Sequence, residues 1–412
     1  MGMKMVESAE RLTVDEATDS RNPIYFDYQA TTPLDPRVLE AMLPYLRDQV
    51  GNPHSTSHLH GLRASAAVEE ARAQVAALIG ARPGEIVFTS GATEANNQLI
   101  RGAAAAGARV GRTRVVTCVT EHHAVLDVAR RLAADGFEVI ELGVDHAGFI
   151  DLDELADAVD GGTALVSIMA ANNEIGVLQP IAEAASRARQ HGALFHSDGA
   201  QAVGKIPVDV GGVGIDLLSL SGHKLYGPMG IGVAYIARHA RRRVDPLFHG
   251  GGQEGGFRSG TLPVALCVGL GEACRIAQRE FAVEAVRLEA LRSLFLGALR
   301  QGGTDFVING DMDRRLPGNL NISFPGVDSE ALLMRLRADV SLASGSACTT
   351  TSLEPSHVIQ ALGFGSDRAE EAIRIGFGRP TSEADTVAAA RLVTKAVARL
   401  RGVGYRPGRE GP

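Results

Sequence analysis

At 412 residues the chain can bury a large core and predicts a division into two domains. Its 45% hydrophobic and 22% charged residues are those of a soluble globular protein, and a formal net charge of −7 argues against a dedicated nucleic-acid binder. No apolar run reaches the roughly 18 residues of a membrane span. Four cysteines, at 118, 267, 274 and 348, form no C-x-x-C pair, which suits reduced thiols in a cytoplasm.

Residues 1–22 carry Glu7, Glu10, Asp15, Glu16 and Asp19 and no apolar segment, so they predict a disordered tail and neither a signal nor a transit peptide. Between about 60 and 240, helical patterns at 64–79, 124–134 and 181–191 alternate with short β-branched runs. Those runs, at 85–89, 115–119, 164–169, 194–196, 217–220 and 232–236, predict βαβ units in a mostly parallel α/β sheet. Ligands collect at the carboxyl ends of such strands. An Ala/Glu/Leu/Arg-rich stretch from 268 to about 300 predicts one long helix bridging into a smaller α+β domain. That domain has strands expected at 306–309, 319–324 and 372–377 and helices at 329–337 and 382–401. The expected boundaries are a tail at 1–22, a large domain at 33–281, a small domain made of 24–32 and 282–402, and a loose tail at 403–412.

Several residues carry chemistry in this frame. Lys224 leaves an apolar strand in Ser221-Gly-His-Lys224, where desolvation makes lysine a Schiff-base nucleophile; the alternative is a surface lysine. Asp198 ends another strand 26 residues upstream and either faces the same cleft or caps a helix. An aspartate on a pyridinium nitrogen with a lysine on the aldehyde carbon is the pyridoxal-phosphate arrangement. Thr89-Ser-Gly91-Ala92-Thr93 follows a strand and opens a helix, giving either a phosphate site or an ordinary helix start. His122, at a strand end in Glu121-His122-His123, suits stacking or proton transfer, core packing being the alternative; no second cluster with zinc-like spacing lies nearby, so no metal is expected. Cys118 lies in an apolar strand, and Cys267 and Cys274 share a helix face. Cys348 instead sits in the supple polar loop Ser344-Gly-Ser-Ala-Cys348-Thr, where a thiol given local help becomes a reactive thiolate; the alternative is an incidental surface cysteine. Arg374 interrupts an apolar strand and suits either bidentate capture of a carboxylate or a strand-edge salt bridge. Arg238 and Arg241 to Arg243 read as a solvated basic surface.

Together these motifs resemble the cysteine desulfurases, in the NifS/IscS-type branch of the class V aminotransferases. The likeness runs from about residue 24 to 401 and is carried in order by Tyr28-Gln-Ala-Thr-Thr-Pro, Gly51-Asn-Pro-His, Thr89-Ser-Gly-Ala-Thr-Glu, Thr120-Glu-His-His, Asn172-Asn-Glu-Ile-Gly, Ser221-Gly-His-Lys, Arg258-Ser-Gly-Thr and Ser344-Gly-Ser-Ala-Cys. The resemblance implies a fold-type I transferase dependent on pyridoxal 5'-phosphate. Lys224 would bond the cofactor's aldehyde carbon, Asp198 its ring nitrogen, and His122 would stack on the ring and move protons. Asn173 and Gln201 would reach the ring oxygen. Ala92, Thr93, Ser221 and His223 would hold the phosphate, joined by Thr261 from the second subunit of a homodimer. Arg374, helped by Asn52, would grip the carboxylate of L-cysteine, and Cys348 would take its sulfur as a persulfide, leaving alanine. The short loop resembles the branch whose catalytic loop is long and mobile.

Two departures stand out. Gly255 replaces an arginine common among relatives, with an effect expected near the dimer or the substrate entrance. The chain ends in a short Gly/Pro/Arg tail, without the longer segment by which housekeeping relatives dock an iron–sulfur scaffold. The sulfur acceptor, an iron–sulfur scaffold or a thiolation enzyme, therefore stays open. The rival readings are another fold-type I activity, such as an aminotransferase or selenocysteine lyase, and an idle sulfur-relay protein.

Overall fold

The computed structural model describes residues 22–344 and 355–402. Cys348 and almost all of both expected tails lie outside those residues. The fold is α/β. A seven-stranded sheet has the spatial order Ile86–Thr89, Gly232–Ile236, Leu217–Ser221, Leu194–Asp198, Thr163–Ser167, Arg114–Cys118, Glu138–Leu142. Only Gly232–Ile236 runs against the others, pairing antiparallel with both its neighbours. Its central strands are buried along their whole length, and their continuous apolar runs reflect helices covering both faces. Full burial of one side chain such as Phe195 contributes about 2–3 kcal/mol.

The expected strands recur within a residue or three of their bounds. The edge strand Glu138–Leu142 was not anticipated, because its Glu-Val-Ile-Glu-Leu pattern is half polar. Two helices start earlier than their patterns. Leu59–Leu78 begins where the His58 ring accepts from Gly61 N–H, an N-cap that histidine seldom supplies. The long helix Val264–Gln301 begins directly after Pro263.

That helix, 38 residues and about 57 Å long, belongs to two cores. Cys267, Leu270 and Cys274 pack with the large sheet, while Leu288, Leu291 and Phe295 pack in a second cluster with Phe26, Leu320, Ile375 and Val393. The second cluster covers an antiparallel four-stranded sheet ordered Ala343–Ser344, Ala372–Gly376, Asn319–Ser323, Val307–Ile308. The chain's first strand, Ile24–Tyr25, pairs with Val340–Ser341 beside this second unit, and Gly376 N–H donates to Phe26 C=O at 2.6 Å. Residues just past that strand consequently reach the large sheet and the small one together.

Candidate active site

A cleft of about 580 Å³ opens where the carboxyl ends of the large sheet face the strand Ala372–Gly376. Its size lies in the range of about 300–1,000 Å³ usual for small-molecule sites. The floor is Asp198, last residue of its strand. Its Oδ2 accepts from Asn96 Nδ2 at 2.7 Å and its Oδ1 from Ala200 N–H at 2.9 Å, so the carboxylate is held in one orientation. Lys224 closes the 3₁₀ turn Gly222–Lys224 that follows Leu217–Ser221. Its Nζ donates to Gln29 C=O at 2.6 Å and Ala30 C=O at 2.7 Å.

The turn around Lys224 is pinned from several sides. Tyr226 sits at φ +63°, a costly conformation for a bulky residue. Its N–H donates to Thr32 Oγ1 at 2.7 Å, its hydroxyl accepts from Arg379 N–H at 2.6 Å, and the Arg379 guanidinium lies 4.2 Å from its ring centroid. Thr32 Oγ1 also donates to His223 C=O at 2.9 Å.

On one side of the cleft the helix Ala92–Ala108 begins with no side chain capping it, leaving its first N–H groups for a ligand. Ala92, Thr93, Ser221 and His223 line that side. Burial, and then the Lys224 and Lys205 cations, lower the His223 imidazole to about 4, so it is neutral near pH 7. Gly232 makes room here, since a Cβ on it would stand 2.6 Å from Gly91 Cα.

His122 caps the helix His123–Ala134 by accepting from Ala124 N–H at Nδ1, 3.0 Å away. Burial holds this ring below the usual histidine value, so its neutral form carries the proton on Nε2. Opposite stands Arg374, in the middle of its strand between two partners and only 2% exposed. It is no strand-edge residue. Nη2 pairs with Asp27 at 2.8 Å and Nη1 donates to Asn173 C=O at 3.2 Å. Among the described residues, Arg374 Nε and Asn173 Oδ1 are buried without a hydrogen-bond partner.

These features fit a flat ring with an anionic tail. A carboxylate floor, an amine, an uncapped helix start and a guanidinium with a spare donor converge on one cleft. Residues 24–388 match the family model described as aminotransferase class-V. The chain belongs to that family.

Class-V relatives sharpen the placement. The chain is 52% identical to a cysteine desulfurase of Mus musculus over 94% of its length and 84% of the relative's. It is 49% identical to the cysteine desulfurase IscS of Rickettsia bellii, covering 92% of each. A solved NifS-like protein superposes with a TM-score of 0.85 at 36% identity, over 92% of this chain and 100% of that one. The chain therefore falls among the cysteine desulfurases, and enzymes of that class-V group use pyridoxal phosphate.

Of the expected site residues, Ala92, Thr93, His122, Asn173 and Asp198 line the cleft, as do Gln201, Ser221, His223, Lys224 and Arg374. Asn52 and Thr261 are exposed and not among the lining residues; Asn52 Oδ1 accepts from His54 N–H in its own loop. Cys118, Cys267 and Cys274 are buried, and burial pushes each thiol up, Cys118 and Cys267 to about 12. The three therefore stay protonated at neutral pH.

Sequence reasoning missed Asn96, Asp27, Lys205, Glu121 and Glu174. Asn96 and Asp27 contact their partners across 102 and 347 residues of chain, so no local pattern marks them. Glu121 is fully buried; burial and then Asp198 push its carboxyl well above the usual range, and Met169 N–H donates to it. Glu174, raised by burial to about 7, accepts from Ser356 Oγ at 2.5 Å. Gly255 stands at φ +62° next to Glu254, which pairs with Arg72 at 2.7 Å. In the basic cluster, Arg241 and Arg243 donate to the carbonyls of Gly84 and Gly192.

Proposed function

We propose that this chain takes sulfur from L-cysteine with pyridoxal 5'-phosphate in the cleft and Cys348 as the receiving thiol. The observation that carries the reading is the convergence of Lys224, Asp198 and Arg374 on one cleft. The chain also leaves for the Cys348 segment at Ser344, paired with Ile373 next to Arg374. It resumes near Ser356, bonded to Glu174, and His357, whose Nε2 lies 3.1 Å from Glu121 C=O.

The bound cofactor supplies an electron sink for the substrate's Cα. Lys224 would anchor it, and its Nζ would hold and return the Cα proton. Asp198, fixed by Asn96 and Ala200, would keep the ring nitrogen protonated. Asn173 and Gln201 would reach the ring oxygen, His122 would stack on the ring, and Ala92, Thr93, Ser221 and His223 would hold the phosphate. Arg374 offers its unpartnered Nε to the substrate carboxylate, a charge-assisted bond in a dry site. The Cys348 thiolate attacks the substrate sulfur, forming an S–S bond as the Cβ–S bond breaks with its electron pair kept by carbon. Protonation of that carbon gives L-alanine, and Cys348 keeps the sulfur as a persulfide. An acceptor protein of iron–sulfur assembly or thiolation then removes it.

The working unit is a homodimer, in which Thr261 of one subunit reaches the phosphate of the other. An exposed apolar stripe of Leu39, Leu43 and Leu46 on the helix Pro36–Arg47 supports a partner surface. Among the described residues no helix is long and apolar enough to cross a membrane.

Mass spectrometry of the cysteine-treated enzyme tests the reading. One added sulfur is expected on Cys348, and Cys348→Ser is expected to form alanine at least about 10³-fold more slowly. Sulfur found on another cysteine, or wild-type turnover by Cys348→Ser, would sink it.

A further inference from the structure

A second lysine stands behind the first. Lys205 and Lys224 both line a narrow cavity of about 30 Å³ on the far side of the Lys224 turn, walled by Leu225, Ala277 and Leu316. Lys205 is half-buried, and its ammonium is turned inward to Gln201. Burial, and then the Lys224 cation, bring that ammonium down to about 7; Glu284 opposes the shift and Arg374 adds to it. Tyr226 and Arg379 face the same cavity. Even partial burial of a lysine is costly, and solvation of a surface gains nothing from it.

Lys205 Nζ donates to Gln201 Oε1 at 2.9 Å, and Gln201 Nε2 donates to Gln29 C=O at 2.9 Å. A lysine offers donors only and a carbonyl accepts only. The two partners therefore permit a single orientation of the Gln201 amide. With Oε1 committed to Lys205 and one Nε2 hydrogen to Gln29, the second Nε2 hydrogen is left for the cleft that Gln201 lines. The same Gln29 carbonyl also accepts from Lys224.

We infer that Lys205 is a positioning residue, fixing Gln201 as a hydrogen-bond donor to the cofactor's ring oxygen and tying that donor to the Lys224 turn. The inference rests on the reading of the cleft as a pyridoxal-phosphate site. Without the lysine Oε1 loses its donor, and only the Gln29 carbonyl, which already accepts from Lys224, opposes a turn of the amide that would bring Oε1 against the ring oxygen.

Lys205→Met, which fills the space and removes the donor, tests it through cofactor binding followed by visible absorbance. We expect pyridoxal phosphate to bind about tenfold more weakly, with a displaced pH midpoint of the visible band. In a double-mutant cycle, Lys205→Met with Gln201→Met is expected within about twofold of Gln201→Met alone, because Lys205 acts through Gln201. Lys205→Gln, which keeps an N–H donor, is expected to recover affinity relative to Lys205→Met. The cofactor-free Lys205→Met protein is expected to melt at or above the wild-type temperature at pH 7, since a buried ammonium has gone. Wild-type affinity and band titration in Lys205→Met, or additive effects in the cycle, overturn the assignment. So does failure of both the Met and the Gln variants to fold, which makes Lys205 structural. Wild-type protein that shows no visible band with pyridoxal phosphate instead overturns the reading of the cleft.

Discussion

Two strands of this protein each carry an ionisable side chain through a hydrophobic layer, with opposite outcomes. In the large sheet His196 is fully buried between Phe195 and Ser197, and burial lowers it to about 4, so it is kept neutral. Its partner is Ser167 Oγ, 2.8 Å from Nδ1 and one strand away, while Nε2 is buried without one among the described residues. In the small sheet Arg374 is as deeply enclosed but keeps its guanidinium in an ion pair with Asp27. A neutral imidazole needs only local support. A buried guanidinium must recruit an acid, and here it draws Asp27 from the amino-terminal segment and the Asn173 carbonyl from the loop after the large-sheet strand Thr163–Ser167. Holding that charge thus assembles the substrate end of the cleft, and Nε is left over for a ligand.

The largest expected effect breaks the charged strand. Arg374→Ala should raise KM for cysteine about a hundredfold, equivalent to about 3 kcal/mol of lost binding. Arg374→Lys should recover little, because a point charge lacks the planar fork. Asp27→Asn is the sharper control. It should lower stability by about 1–3 kcal/mol while KM stays within about threefold, since Nε remains available. A normal KM in Arg374→Ala would make Arg374 a structural ion pair only.

The same contrast explains what was legible in the sequence. Lys224, Asp198 and His122 sit at or just past strand ends, where the βαβ pattern directs ligands, so period and position nominated them, whereas Ser221 was nominated by the resemblance. Arg374 was visible as a charge in an apolar run, but its interior place between two strands was not, because register depends on Ala343 and Asn321 far along the chain. Asp27 and Asn96 act through contacts whose partners no local pattern names. The amide of Gln201 was nominated by resemblance, whereas the lysine that orients it emerged only from the hydrogen bonds. The half-polar strand Glu138–Leu142 escaped because an edge needs only part of its length buried.

The neutral strand predicts a smaller effect, seen in pH dependence. The unfolded chain protonates His196 near its ordinary 6.5, the folded chain only near 4. This group's contribution is therefore fully present above pH 6.5 and is lost as pH falls toward 4, about 3 kcal/mol in all. Urea unfolding of wild type and His196→Gln at pH 7 and pH 4 should show the variant losing less stability by about that amount. Equal losses in the two proteins would mean that His196 is protonated in the fold.

The smallest effect separates the two ends of the cleft. Gly232 lies in the strand that runs against the rest of the large sheet. A Cβ there would meet Gly91 Cα at 2.6 Å and Leu220 C=O at 2.5 Å, backbone atoms that cannot rotate away. Gly232→Ala must therefore push the uncapped start of Ala92–Ala108 outward, at a cost of about 1–3 kcal/mol. The displaced N–H groups lie on the phosphate side and are not among the partners of Arg374. Pyridoxal phosphate should bind about tenfold more weakly, and pyridoxal without its phosphate should be less affected. Once saturated with cofactor, the variant should keep KM for cysteine within about twofold. A KM that rises as in Arg374→Ala would show that the two ends are one mechanical unit and that neutral and charged strands do not divide the work.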